Sequence, residues 1–422
     1  MRVLNFLKRF SISFDEKLTP IVFIFIAFVY IIFSFEVKGS PFVATAYAYY
    51  TDLLNALLHF RLNVNPATTI DISIFNGKYY LNWGPAPVLF IIPFYFLFGT
   101  GPSDVFYTLA AGFFNVVLFY FLIKEFRKYF SLNLSKFSEI FILFTFAFAS
   151  PNFYLSMGGR VWHTEQVVAT FYVLAFLLFF FKYLNRGFKN IYLFILSVIF
   201  FNLAWFSRAT MVFYGIFFFF SFYLTFKERK VLLKQMLYLS IITAIFILTF
   251  LGYNYARFNN PFETGLNYHN VNPRYEEALA NKKIFSFSYI PHNINQYFLT
   301  PAFITFDKPY INLNLDGNSV FSVYPVFIIA LFLFRNKILG DKKINRFLLT
   351  SFLVIFLNLG LLMTYFATGW TEVGSRYVLD IIPLISLLCL FVVEDLPQVF
   401  LVFILFYTSI ICTFGSFFFN YY

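Results

Sequence analysis

The sequence predicts an all-α polytopic membrane protein, and three observations carry that prediction. Its residues are 60% hydrophobic and only 12% charged, too little polar matter to clothe a water-soluble globule. The apolar residues gather in runs of roughly 15 to 21, close to the ~20 that a helix needs to cross the hydrocarbon core. Basic residues collect in short clusters between those runs, as the positive-inside bias produces. The net charge of +11 is therefore spread along the chain, and a nucleic-acid surface, which needs it on one face, is not expected. The 70 Phe and 30 Tyr, beside much Ile, Lys and Asn, read as compositional bias. Cys389 and Cys412 both lie inside apolar runs and indicate neither a disulfide framework nor a metal site.

The first run, Ile21 to Phe35, follows a basic N-terminus. The small residues "ATAYA" at 44–48 lie well beyond it, behind Glu36 and Lys38, so it is expected to be an uncleaved anchor. Further runs are Val105 to Ile123, Phe137 to Leu155, Val167 to Phe181, Ile191 to Phe206, Ala209 to Phe226, Met236 to Leu251, Val320 to Phe334, Phe347 to Ala367, Val378 to Val393 and Val399 to Phe419. That makes about eleven spans. As one helix, 191–226 would reach about 54 Å across a core of roughly 30 Å, so a hairpin turning near Ser207 and Arg208 is predicted.

One apolar stretch is ambiguous: Ala86 to Phe98, which carries Pro87 and Pro93 and follows Pro85. If it does not cross, 20 of the 31 Lys and Arg fall in short segments on one side, the side of the N-terminus. If it crosses, every later cluster changes side and violates the bias. The stretch therefore turns back, as a juxtamembrane or re-entrant helix. This places the N-terminus in the cytoplasm of a multi-pass cell-membrane protein. A first extracytoplasmic loop runs over 36–104, shorter ones over 150–166 and 368–377, and a long one over 252–319. No repeat and no Ser/Gly-rich linker divides residues 1–422, which read as one integral membrane domain. Within the long loop, "FSFSYIPHNINQYFLTPAFITF" (285–306) is amphipathic enough to lie on the membrane surface.

The candidate chemistry lies on the outer side. There is no Walker-type loop, HExxH, paired CxxC or Gly-x-Ser-x-Gly, and the few cytoplasmic acids argue against a nucleotide-sugar site there. Asp52 begins the helical pattern "YYTDLLNALLHFRL", in which Leu53, Leu54, Leu57 and Leu58 form an apolar stripe with Ala56. It is either an acid favoured by the helix dipole or a general base pinned at the membrane surface. Asp71 precedes a turn dipeptide, Asn76-Gly77, and is a loop acid or a second candidate base. Lys78 and Tyr80 follow that turn as candidate substrate contacts. "SMGGRVWHTEQ" crowds Arg160, Trp162, His163 and Glu165 at a helix mouth, side chains suited to an anion or a sugar ring. Arg208 closes the hairpin, where snorkelling competes with a phosphate contact. Arg376 stands four residues before Asp380, a spacing that also allows a helical ion pair. Trp370 and Tyr377 are interface aromatics unless a sugar stacks on them. No cofactor is indicated: Asp52, Asp71, His163 and Glu165 are suitable divalent-metal ligands, but their spacing matches no defined site.

In order along the chain, "YYTDLLNALLHFRL", "DISIFNGKYYLNWGPAPVLFIIPF", "RVWHTEQV", "NLAWFSRAT", "NYARFNNPFETG" and "GWTEVGSRYVLDIIP" resemble the GT-C membrane glycosyltransferases, the group of protein O-mannosyltransferases and lipid A aminoarabinose transferase. The resemblance is strongest to a poorly characterised bacterial branch and covers most of the chain. It implies an acidic base in the first outside loop, a juxtamembrane helix after it, and a sugar donor on a polyprenyl phosphate. Motif order matches Asp52 to that base, with Asp71 second. The better-known branches carry Lys-Pro-Pro where this chain has "NWGP", so Lys78, Arg160, Arg208 or Arg376 is expected to replace the phosphate-binding lysine, with Arg208 and Arg376 preferred. The rival reading is a transporter or flippase of lipid-linked saccharide, which predicts intramembrane charges or broken helices in paired halves. A third is a non-catalytic scaffold presenting the 252–319 loop to a partner.

Overall fold

The computed structural model describes residues 19–99, 101–276, 284–308, 310–334, 341–369 and 372–420. The N-terminal basic cluster, part of the basic segment after Phe334, and Trp370 lie outside the described residues. Among those described, six helices are long and apolar enough to cross a membrane: Thr19–Lys38, Asp104–Phe130, Val161–Asn185, Arg229–Phe258, Lys342–Thr364 and Gln398–Phe417. Every other run named above falls chiefly in shorter helix.

Several of those runs are broken: 137–155 falls into the helices Lys136–Phe148 and Pro151–Ser156, and two others break further. Residues 320–334 form the short helices Val320–Val323 and Pro325–Ala330 and a 3-10 turn, Leu331–Phe334. Residues 376–395 form a 3-10 turn, Arg376–Asp380, the helix Ile382–Cys389 and a second turn. Pro325 and Pro383 stand in the first helical turns after these breaks, where a missing N–H costs nothing. The predicted hairpin forms. Helix Ile191–Ser207 ends at Arg208, whose backbone is extended (φ −144°, ψ 119°). The chain resumes as a 3-10 turn and the helix Ile216–Thr225, and the Phe218 ring returns to within 5.2 Å of Phe201 and 5.6 Å of Phe194.

The chain divides into two compact, interleaved units. One comprises Lys38–Gly112 and Leu155–Phe285. Its core is built where helix Tyr49–Leu58 buries Tyr49, Tyr50, Leu53, Leu54 and Ala56 against Ile72, Leu81, Val88, Ile91, Tyr107 and Val161. Leu57 and Leu58, expected on the same stripe, are exposed in the last turn of the helix. Helix Pro87–Phe98 spans about 18 Å at 1.5 Å per residue, short of a ~30 Å core. It packs its buried Pro87, Val88 and Ile91 inward and ends at Gly99, in left-handed backbone (φ 76°). A three-stranded antiparallel sheet, order β2-β1-β3, completes the unit: β1 is Ile72–Phe75, β2 is Lys78–Tyr80 and β3 is His269–Asn270. Asn76 (φ 51°) and Gly77 (φ 72°) make the two-residue β1–β2 turn, both in the left-handed region that this kind of hairpin demands.

The other unit comprises the described parts of Met1–Val37, Phe113–Tyr154 and Ser286–Tyr422. There the Tyr30 hydroxyl donates to the Ala147 carbonyl at 2.8 Å and accepts from Asn152 Nδ2 at 3.1 Å, so the buried phenol is satisfied. Ser135 caps helix Lys136–Phe148 by accepting from the Ser138 N–H. In the 285–306 segment, Phe287, Leu299, Phe303 and Phe306 are exposed.

Candidate functional site

Three carboxylates of the Lys38–Gly112 segment meet different fates. Asp52 lies in the first turn of helix Tyr49–Leu58, flanked by buried Thr51 and Leu53. Among the described residues, no hydrogen bond or ion pair reaches its half-buried side chain. Burial, followed by the negative charge of Asp104, pushes its pKa up to about 6. A first-turn position favours the ionised form, so the shift occurs against the helix dipole.

Asp104 is fully buried and saturated. It accepts from the Thr45 N–H at 2.8 Å and the Thr45 hydroxyl at 2.5 Å, from the Val105 N–H at 3.1 Å and from the Arg160 N–H at 2.8 Å. The approach of the 156–160 loop depends on its two glycines. A Cβ on Gly159 (φ +59°) would meet the Asp104 carboxyl at 3.1 Å and Val105 at 2.9 Å, and one on Gly158 would meet the His163 ring at 2.0 Å. Arg160 follows in left-handed backbone (φ 59°), a strained position for a side chain of its size. Its guanidinium lies over the Trp162 ring at 5.9 Å, and Trp162 in turn meets Tyr47 at 4.9 Å. Lys38 stands within electrostatic reach of both Arg160 and Asp104.

Asp71 is occupied. It sits in left-handed backbone (φ 58°) at the start of β1, and its Oδ1 lies 3.5 Å from His269 Nε2 on β3. The Asp71 N–H donates to the Asn270 carbonyl at 2.7 Å, and Asn270 Nδ2 donates to the Thr69 carbonyl at 2.7 Å. The pair thus fastens the first loop to the start of the long one. Tyr49 lies within reach of both Asp52 and Asp71; its hydroxyl donates to the carbonyls of Thr68 and Ile70, and burial, ahead of those charges, drives its pKa upward. It stays a neutral phenol.

The remaining predicted residues are distributed as follows. Arg208 and Glu165 form a buried ion pair, Nη1 to Oε2 3.0 Å, so Arg208 does not snorkel to an interface. His163 is buried beside Gly158. Lys78 is exposed at the start of β2, while Tyr80 is buried with its ring 5.4 Å from that of Phe258 and is therefore sheet core. Arg376 belongs to the other unit and bonds Glu372 at 2.5 Å, four residues away but in the direction opposite to Asp380. Among the described residues, no three His, Cys, Asp or Glu side chains gather as metal ligands would.

The sequence did not single out Asp104, Lys38 or His269. Gly84 also acquires a reason. In "NWGP" a Cβ at this position would lie 2.2 Å from the Ser207 carbonyl oxygen, and the Gly84 carbonyl accepts from the Tyr50 hydroxyl at 3.1 Å. A side chain at residue 84 would displace the Ser207 backbone next to Arg208.

No family model matches the chain. No curated protein matches it in sequence. Solved structures do match. The oligosaccharyltransferase of Archaeoglobus fulgidus, tethered to an acceptor peptide containing the NVT sequon, superposes with a TM-score of 0.55 at 14% identity, covering 96% of this chain and 56% of that one. The same archaeal enzyme, AglB, in complex with an inhibitory peptide and a dolichol-phosphate gives 0.51 at 13% identity, again over 96% and 56%. ArnT from Cupriavidus metallidurans, bound to undecaprenyl phosphate, gives 0.46 at 12% identity over 90% of this chain and 61% of that one. This chain spans little more than half the length of the archaeal enzyme. Its fold is that of the archaeal oligosaccharyltransferase.

Proposed function

We propose that the chain is a membrane glycosyltransferase that moves a sugar from a polyprenyl-phosphate carrier to an acceptor hydroxyl or amine outside the cytoplasm, with Asp52 as general base. The observation that carries this reading is the state of Asp52: half-buried, without a partner among the described residues, and raised to about 6. A carboxylate with these properties is an unusually strong base that is still ionised at neutral pH. Asp104 has its lone pairs engaged, and Asp71 is set against His269 at 3.5 Å.

The reaction needs few parts. The acceptor oxygen or nitrogen attacks the anomeric carbon as its proton passes to Asp52, and the bond from that carbon to the carrier phosphate breaks. The carrier leaves as the phosphate, whose growing charge requires cations opposite the base. Arg160 and Lys38, which lie within electrostatic reach of each other, are the preferred cations. Arg208 is the weaker choice, since Glu165 already neutralises it. A lipid carrier suits this geometry because it diffuses in the membrane to a site at the interface. The archaeal neighbour solved with a dolichol-phosphate supports a carrier of this kind. The topology belongs to the same proposal: about eleven spans in one membrane domain, a cytoplasmic N-terminus, and helix Pro87–Phe98 dipping without crossing.

The test is transfer in proteoliposomes supplied with a panel of polyprenyl-phosphate-linked sugars and acceptors. A new glycosidic bond made by the wild type and lost in Asp52→Asn, with the variant still inserted and monodisperse, supports the reading. Movement of intact lipid-linked saccharide across the bilayer without a new bond would assign the chain to the flippases instead.

A further inference from the structure

A second site, assigned no role above, lies in the other unit at the far end of helix Asp104–Phe130. A cavity of about 540 Å³ is lined by Lys124, Arg127, Lys128, Lys136 and Glu139, with the turn 131–133 closing one side. Its charges do not balance. The buried Glu139 carboxylate takes Arg127 Nη1 at 2.5 Å on one oxygen and Lys136 Nζ at 3.1 Å on the other, so it is fully used. Arg127 Nε also donates to the Leu132 carbonyl at 3.1 Å. Lys124 and Lys128 have no carboxylate partner among the described residues; Lys124 only rests over the Tyr120 ring at 4.6 Å. The nearby Glu394 is occupied by the Ser135 N–H and hydroxyl, at 2.6 and 2.7 Å. Two ammonium groups four residues apart on one helix repel each other, so their joint presence weakens the free helix slightly.

We propose that this cavity binds the phosphodiester headgroup of an anionic membrane phospholipid. Solvated lysines at a helix end are the ordinary outcome of the positive-inside bias, and two further observations argue for a bound lipid here. Phe114, Phe121 and Lys128 recur at seven-residue intervals and share one helical face with Lys124, and both phenylalanines are exposed, at 42% and 45%. An apolar stripe fit for acyl chains therefore runs directly into the cationic cavity. Lys124 also lies 20 residues beyond Asp104, about 30 Å along the helix axis, which is the thickness of a hydrocarbon core. If Asp104 marks one interface, the cavity lies at headgroup level on the other. A free phosphate would use the cations but not the stripe.

The test uses the full chain, purified from membranes, with Lys124→Gln/Lys128→Gln compared against Lys227→Gln/Lys230→Gln, an equal charge loss at exposed positions elsewhere. Retention of phosphatidylglycerol is read by native mass spectrometry, and the thermal shift is read with phosphatidylglycerol, phosphatidylcholine or inorganic phosphate added. The expected result is a phosphatidylglycerol-dependent shift and a retained lipid in the wild type and the Lys227/Lys230 variant. In the Lys124/Lys128 variant retention should fall about tenfold or more, in line with the contribution of each basic residue near an anionic surface. Equal retention in both variants, equal loss in both, or a shift reproduced by inorganic phosphate would overturn the proposal. All these lysines are exposed, so the substitutions leave the fold intact.

Discussion

Asp52 and Asp71 belong to the same loop, yet their surroundings are opposite. Asp52 stands on a helix whose neighbouring side chains are core, and the described structure brings it no donor and one negative charge, Asp104. Asp71 stands at the start of the central strand β1, its backbone strained into the left-handed region and its carboxylate set against His269. The contrast separates two uses of a carboxylate. A partner fixes geometry, whereas burial without a partner stores basicity for a reaction.

The largest expected effect breaks the comparison at Asp52. Asp52→Asn should lower transfer by roughly 10²–10⁴-fold, the usual worth of a positioned base. The same change should stabilise the protein at neutral pH. The folded-state pKa of Asp52 is raised, so the fold holds the proton more tightly than the unfolded chain, and stability falls as pH rises from about 4 to about 6. The Asn variant has no such penalty. Its melting temperature should therefore exceed the wild type's at pH 7.5 and converge with it near pH 4.

The Glu165–Arg208 pair comes next. Glu165→Gln or Arg208→Gln alone leaves one buried charge without its partner and should cost about 3–5 kcal/mol in denaturant unfolding. The double variant should recover part of that loss. A much smaller cost for either single variant would show that the pair is solvated. Gly159→Ala should follow, at about 1–2 kcal/mol for the left-handed backbone alone, plus the contact with Asp104. It should also reduce transfer, because the loop that lays the Arg160 N–H on Asp104 must shift. Asp71→Asn should have the smallest effect on catalysis, within about tenfold, with its cost appearing as loosened amide-exchange protection in β1 and β3. If Asp71→Asn instead abolished transfer while Asp52→Asn did not, the two roles would be exchanged.

Much of this was legible in the sequence, and the misses have physical causes. The runs were readable because membrane helices are selected for length and apolarity, and the Asn76-Gly77 hairpin because only that kind of pair enters its turn cheaply. Helix Pro87–Phe98 was legible through its prolines and its shortness. The breaks near Val323 and Ile381 were marked by Pro325 and Pro383, which disfavour helix in the residue before them, but the length and apolarity of the runs outweighed that mark in the reading as spans. Asp104 reads locally as an ordinary first-turn acid, and its four donors come from three separate stretches of chain. His269 meets Asp71 through strand pairing across almost 200 residues, for which no local pattern exists. Arg208 looked like an interfacial cation because its partner lies 43 residues away on another helix.

The pH dependence of kcat/KM for transfer, measured in proteoliposomes on wild type and Asp71→Asn, tests the central claim most directly. Deprotonated Asp52 is the active form, so both proteins should gain activity with rising pH through a midpoint near 6. A midpoint near 4, or one that moves when Asp71 is replaced, would contradict the assignment.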